Sequence, residues 1–146
     1  MTAHITLLNG PNLNLLGKRQ PEIYGSDTLL DVEERCAQLA DDLGMALHGF
    51  QSNHEGALVD AIHDAREKSA AIIINPGAYS HTSVAILDAL NVFDGIVLEI
   101  HISNIHKREV FRHHSYVSSR ADGIIAGCGV NGYELAVQQV AHMVKG

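Results

Sequence analysis

The feature that most constrains the fold is a regular alternation of short apolar runs with amphipathic stretches. Five runs are rich in branched residues and mostly lack polar–apolar alternation, and they begin at Ile5, Met45, Ala71, Ile96 and Ile124. Such runs are typical of strands that are buried on both faces of a parallel sheet. The alternation therefore predicts a three-layer, doubly wound α/β fold with a five-stranded parallel sheet covered by helices.

The stretches between these runs predict helices. The first, within 29–43, has an apolar stripe with steps of three and four residues. Ser52, followed by Glu55, resembles a capping box that would begin the second helix. A third helix is indicated over about 84–90 and a last one from about Tyr133. Right-handed crossovers then favour the flavodoxin-like strand order 2-1-3-4-5, in which ligands bind at the carboxyl ends of the first and third strands.

Composition limits the class of protein and its partners. The length of 146 residues and the hydrophobic fraction of 46% predict a single domain over 1–146. The net charge of -7 makes nucleic acid and anionic membrane surfaces poor partners, whereas a small anionic substrate responds to the local field of a cleft. Two cysteines, no recognisable signal peptide and no apolar run of about 20 residues predict a cytoplasmic protein.

A long segment, residues 9–25, follows the first predicted strand. It exceeds the roughly 2–6 residues of an ordinary strand-to-helix turn, and long loops are often lids or binding loops. The glycines near its end are candidate hinges of a lid over about 17–25, which would carry Arg19 and Tyr24. A solvated loop that uses Asn and Gly for its turns is the alternative.

The third predicted strand is also followed by polar residues. Asn75 and His81 are expected to face the crevice at the strand ends, and a serine or threonine among 80–83 is expected to cap the next helix. A histidine near a helix cap with no function is the alternative interpretation.

The fourth predicted strand contains a carboxylate and an imidazole. Glu99 and His101 are two residues apart and therefore lie on the same side of an extended chain. This pairing suits a carboxylate that orients an imidazole as a general acid. Arg108 and Arg112 follow four residues apart, so on a helical turn they would share a face able to receive oxygens.

Two other patterns are weaker indications of a ligand site. Gly127-Cys128-Gly129-Val130-Asn131-Gly132 matches G-x-G-x-x-G, but the chain has no further strand with an acidic residue about 20 positions on, so we expect helix–strand packing and no dinucleotide. The ten histidines are scattered without a metal-binding spacing, so no metal is expected.

Four segments together are similar to the type II dehydroquinases, and the similarity runs from about residue 5 to the last helix. The motifs are Asn9-Gly-Pro-Asn-Leu-Asn-Leu-Leu-Gly17 with Arg19-x-Pro21-x-x-Tyr24-Gly25, Gln51-Ser-Asn-x-Glu55-Gly, Asn75-Pro-Gly-Ala-Tyr79-x-His81-Thr-Ser-Val-Ala85, and Glu99-x-His101-x-Ser103-Asn104 through Arg108-Glu-x-Phe-Arg112-His. Ser80 replaces an expected threonine and keeps its hydroxyl.

The resemblance implies loss of water from 3-dehydroquinate to give 3-dehydroshikimate in the shikimate pathway, by a hydro-lyase that needs no metal or cofactor. Tyr24 would be the base that removes the C2 proton, with Arg19 and Arg108 favouring its phenolate. Asn12, through a water molecule, would stabilise the enolate oxygen.

The resemblance also implies the remaining roles. His101, oriented by Glu99, would protonate the departing C1 hydroxyl. The implied substrate-binding residues are Asn75, His81, Ile102, Ser103 and Arg112, together with Asp88, which would reach a neighbouring subunit's site in a dodecamer built from trimers.

Other mechanisms and functions lead to different expectations. Covalent imine catalysis is disfavoured because the four lysines, at 18, 68, 107 and 145, lie outside the predicted strands. A non-catalytic flavodoxin-like module that binds a small ligand is the main alternative, although the loop after the first strand carries Asn, Leu and Pro rather than a Ser-, Thr- and Gly-rich phosphate cradle. A metal-dependent lyase is the second alternative function.

Overall fold

A computed structural model describes residues 2–18 and 21–145, with the backbone alone at 23 and 24. The strands form one parallel sheet in the order β2-β1-β3-β4-β5, which confirms the predicted fold class and strand order. The strands are β1 (Ala3–Asn9), β2 (Met45–Gln51), β3 (Ala71–Asn75), β4 (Ile96–His101) and β5 (Gly123–Ala126). The helices are α1 (Pro21–Tyr24), α2 (Leu29–Asp42), α3 (Glu55–Lys68), α4 (Val84–Asn91) and α5 (Asn131–Lys145).

Each face of the sheet packs against its own pair of helices. Successive side chains of a strand point to opposite faces, so in β3 the side chain of Ile73 joins the core under α2 and α5, while Ile72 and Ile74 join the core under α3 and α4. All five residues of β3 are buried. Burial on both faces explains why this strand is apolar without alternation.

Hydroxyl caps begin two of the helices. Thr28 and Asp31 form a reciprocal capping box at α2, and Ser83 Oγ accepts from Ile86 N at 2.9 Å at the start of α4. The capping box predicted at Ser52 is wrong. The backbone N–H of Ser52 donates to Asn9 O at 3.1 Å, which keeps Ser52 attached to the sheet, and α3 begins two residues later than such a cap requires.

The loops after β1 and β3 are in close contact at the carboxyl ends of these two neighbouring strands, where the strand order reverses. Gly10 N donates to Asn75 O at 2.8 Å, and a Cβ at Gly10 would lie only 2.2 Å from Pro76 O. A residue larger than glycine would therefore push these loops apart. This contact brings polar residues at the carboxyl ends of neighbouring strands together.

The predicted lid lies only partly within the described residues. Gly17 and Gly25 both have a left-handed backbone, with φ of 84° and 81°, and α1 is one helical turn between them. Arg19 and Gln20 lie outside the described residues. Within 2–18 and 21–145, no helix is long and apolar enough to cross a membrane.

Candidate active site

A pocket of about 200 Å³ lies at the carboxyl ends of β1, β3 and β4, where the strand order predicts a ligand site. The loops after these three strands supply its walls. The residues that line it are Pro11, Asn12, Leu13, Leu16, Asn75, Gly77, Ala78, His81, His101, Ile102, Ser103, Ile105, Arg108 and Arg112. Eight of the twelve residues predicted for the site are therefore brought together here.

The buried end of the pocket holds a carboxylate–imidazole pair on β4. Glu99 is 0% exposed and His101 is 4% exposed. The His101 Nε2–H donates to Glu99 Oε2 at 2.5 Å. The structure thus brings together the two residues that their spacing placed on one side of the strand.

Hydrogen bonds keep this buried carboxylate ionised. Burial by itself raises the pKa of Glu99, but hydrogen bonds from His101 and then Ser118 outweigh burial and lower that pKa overall. Ser118 Oγ donates to Glu99 Oε1 at 2.6 Å, so each carboxylate oxygen has its own donor. Because Nε2 of His101 is engaged with Glu99, Nδ1 is the ring nitrogen that remains to exchange a proton with a ligand.

The two predicted arginines line the pocket, but the reason given for their proximity is wrong. The segment forms two separate 3-10 turns, Ile105–Lys107 and Val110–Arg112, with Arg108 extended between them. Asn104 Oδ1 accepts from His106 N at 3.0 Å and caps the first turn. Side-chain bonds of this kind compete with a continuous helix. The arginines meet at the pocket through this fold of the loop.

The charged side chains in the lining of the pocket are cationic although the chain is acidic. Its described lining contains two arginines and two histidines and no aspartate or glutamate. Glu109 lies next to this lining and pairs with both guanidinium groups, at 3.2 Å from Arg112 Nε and 3.9 Å from Arg108 Nε. Such a site favours a small anion despite the net charge of -7. Within the described part of the chain, no three His, Cys, Asp or Glu side chains are grouped to hold a metal ion.

The polar residues after β3 are held in fixed orientations. Asn75 is 4% exposed, and its Oδ1 accepts from Gly77 N at 3.1 Å while its Nδ2 donates to the Tyr133 hydroxyl at 2.9 Å. His81 Nδ1 donates to the carbonyl of His114 at 2.8 Å, which leaves Nε2 of that ring for a ligand. Ordered amide and imidazole groups can align a ligand without a large entropic cost.

Two residues that support the site were missed by the sequence analysis. The Tyr133 hydroxyl, on α5, donates to Asn9 Oδ1 at 2.6 Å and so joins the ends of β1 and β3. A tyrosine on the buried stripe of a helix is a usable signal, because its hydroxyl needs a partner. Ser118 lies in a segment without periodicity, so only the folded structure shows that it contacts Glu99.

Of the four predicted residues outside the lining, Glu99 lies behind His101, and the other three are not placed at the pocket. Arg19 lies outside the described residues, and for Tyr24 the structure describes only the backbone of α1. Asp88 is exposed on α4 and is absent from the lining.

Known proteins are similar over the whole chain. The family model described as "Dehydroquinase class II" matches residues 3–141. The "3-dehydroquinate dehydratase" of Cereibacter sphaeroides is 65% identical over 146 residues, covering 100% of this chain and 99% of that protein. The protein of the same name from Streptomyces avermitilis is 67% identical over 144 residues, covering 98% of this chain and 91% of its own length.

The fold comparison agrees with the sequence comparison. The crystal structure of the type II dehydroquinase from Propionibacterium acnes has a TM-score of 0.93 at 44% identity, covering 97% of this chain and 98% of that one. Dehydratases are hydro-lyases, so the predicted enzyme class is confirmed together with the resemblance. The chain belongs to the class II dehydroquinase family.

Proposed function

We propose that this chain removes water from 3-dehydroquinate to form 3-dehydroshikimate, in the shikimate pathway, through an enolate intermediate. The observation that carries the proposal is the buried Glu99–His101 pair at the end of a pocket lined by two arginines, in a chain of this family. A general acid, an anion-binding wall and neutral amides are the groups that such a dehydration uses.

The first step is removal of a proton from C2, next to the C3 ketone. We assign this step to the phenolate of Tyr24. A free tyrosine has a pKa of about 10, so the base needs cations that favour its ionised form. Arg108 on the pocket wall and Arg19 on the preceding loop are the proposed cations. Asn12, acting through a water molecule, stabilises the charge that develops on the enolate oxygen.

The second step is loss of the C1 hydroxyl. His101, as an imidazolium, gives its proton to that oxygen, which leaves as water when the C1–O bond breaks and the enolate electrons form the double bond. The ionised Glu99 orients the ring through its hydrogen bond with Nε2. Asn75, with its amide fixed by two hydrogen bonds, positions the departing hydroxyl. The proton held by Tyr24 then returns to His101, and both groups regain their starting forms.

Binding of the substrate uses other residues of the pocket lining. The backbone amides of Ile102 and Ser103 receive the carboxylate, and His81 and Arg112 bind ring hydroxyls. The cationic lining supports this assignment because it attracts a carboxylate and is locally opposite in sign to the rest of the protein.

The larger organisation is part of the proposal. The chain would act as one catalytic domain with a lid over about 17–25, in the cytoplasm, and would assemble as a dodecamer of trimers. Asp88, exposed on α4, would then reach the site of a neighbouring subunit. No metal or cofactor enters the reaction.

The proposal is tested by adding 3-dehydroquinate to the purified protein and following the absorbance of the enone product. We expect the absorbance to rise with a chelator present, and we expect borohydride added with substrate to leave activity intact. The described lining of the pocket contains no lysine to form an imine. No enone, or a lysine adduct trapped by borohydride, would contradict the proposal.

A further inference from the structure

The loop after β1 holds one residue in an unusual backbone conformation. Asn12, with φ of 70°, is the one non-glycine residue among those described that has a positive φ. Such a conformation is disfavoured for L-residues, although asparagine tolerates it better than most, and it persists where surrounding contacts hold it. Asn12 also lines the pocket, so this conformation determines where its side chain can reach.

A side chain just after β2 bonds to the backbone of this residue. Asn53 Oδ1 accepts from the backbone N–H of Asn12 at 3.0 Å and from Gln51 Nε2 at 3.1 Å. Both partners are donors, so the amide of Asn53 must present its oxygen to them. Gln51 Nε2 also donates to Gly10 O at 3.1 Å, two residues before Asn12. Two contacts therefore join the end of β2 to the loop after β1, and the bond between Gln51 and Asn53 links these two contacts.

Hydrogen bonds to the backbone at and next to Asn53 fix the position of this residue. The hydroxyl of Tyr79, in the turn after β3, donates to Asn53 O at 2.8 Å. The neighbouring Ser52 N donates to Asn9 O at 3.1 Å. Asn53 is thus attached both to the end of β1 and to the loop after β3, which form two walls of the pocket.

We propose that Asn53 is a positioning residue that holds Asn12 in the left-handed conformation from which Asn12 acts on the substrate. The inference rests on the proposed function, in which Asn12 stabilises the enolate oxygen. It also gives a role to the side chains of Gln51 and Asn53, which the reaction itself does not use.

The expected effect falls on turnover more than on substrate binding. Asn12 interacts with charge that develops only in the transition state, so displacing it lowers kcat and leaves KM nearly unchanged. A misplacement of about 1 Å costs up to about 100-fold in rate. We expect Asn53→Ala to lower kcat by about 10- to 100-fold.

A double-mutant cycle with Asn12 tests the inference directly. If Asn53 acts through Asn12, Asn53→Ala should lower kcat in the wild-type background and have little further effect in the Asn12→Ala background. Asn53→Asp keeps the acceptor oxygen, so kcat should recover well above that of Asn53→Ala at saturating substrate and raised salt, which screens the added charge. Ser52→Ala is the matched control, since Ser52 Oγ accepts from His54 N, and it should keep wild-type kcat.

The outcomes separate this inference from the proposed function. Additive losses in the cycle, or equal losses from Asn53→Ala and Asn53→Asp, would overturn the positioning role while Asn12→Ala remains slow. An Asn12→Ala variant with wild-type kcat would overturn the enolate role of Asn12 and this inference with it. A wild-type protein that forms no enone would refute the proposed function itself.

Discussion

Ser118→Ala should destabilise the folded protein in a pH-dependent way. Ser118 Oγ donates at 2.6 Å to Oε1 of a Glu99 side chain that is 0% exposed. The substitution leaves that oxygen buried without this donor, while the bond from His101 to the other oxygen remains. A buried anion that loses one of its hydrogen bonds raises the free energy of the folded state.

The magnitude follows from the charge on the acceptor. A hydrogen bond to a charged group contributes about 1.5–3 kcal/mol to stability, so we expect a loss of about that size at pH 7. The pKa of Glu99 is lowered in the folded state, and the stability linked to that lowering is present above the unfolded pKa. It is lost as the pH falls through the folded pKa, that is, below about pH 4.3. The difference in the free energy of unfolding between wild type and variant should therefore become smaller as the pH is lowered.

Urea unfolding at fixed protein concentration, at pH 7 and at a pH well below about 4.3, measures this difference. The neighbouring Ser119→Ala is the control, because Ser119 is exposed and its Oγ donates to Tyr116 O. A loss that is equal at both pH values, or equal for the two serines, would refute the role of Ser118 in stabilising the Glu99 anion.

Two further predictions concern other parts of the site. Tyr133→Phe removes a buried hydroxyl that bonds both Asn9 and Asn75, so we expect about 1–3 kcal/mol lower stability in urea unfolding at pH 7; unchanged stability would show that this hydroxyl contributes nothing. Arg19→Ala removes a proposed cation near the phenolate of Tyr24, so the pH at which activity develops should rise; an unchanged pH–rate profile would leave Arg19 without that role.

The fold was predictable because its signals are local or follow from general rules. The fully buried β3 is a continuous apolar run, and short parallel strands with right-handed crossovers leave few arrangements. The Glu99–His101 contact was predictable for the same reason, since residues two apart on a strand share a side.

The errors and the missed contact concern features that residue spacing does not show. Ser52 has the sequence of a helix cap, but a backbone bond to Asn9 keeps it in the sheet. Arg108 and Arg112 have helical spacing, but their segment forms two short 3-10 turns with Arg108 extended between them. Ser118 contacts Glu99 from 19 residues away, a distance that spacing rules do not cover.

The central claim is that a phenolate from Tyr24 starts the reaction in this pocket. The most direct measurement is steady-state turnover of 3-dehydroquinate by the Tyr24→Phe variant, with circular dichroism confirming its fold. We predict a kcat lower by orders of magnitude with KM largely retained, because the ring remains while the base is lost. A Tyr24→Phe enzyme that turns over at close to the wild-type rate would contradict the account.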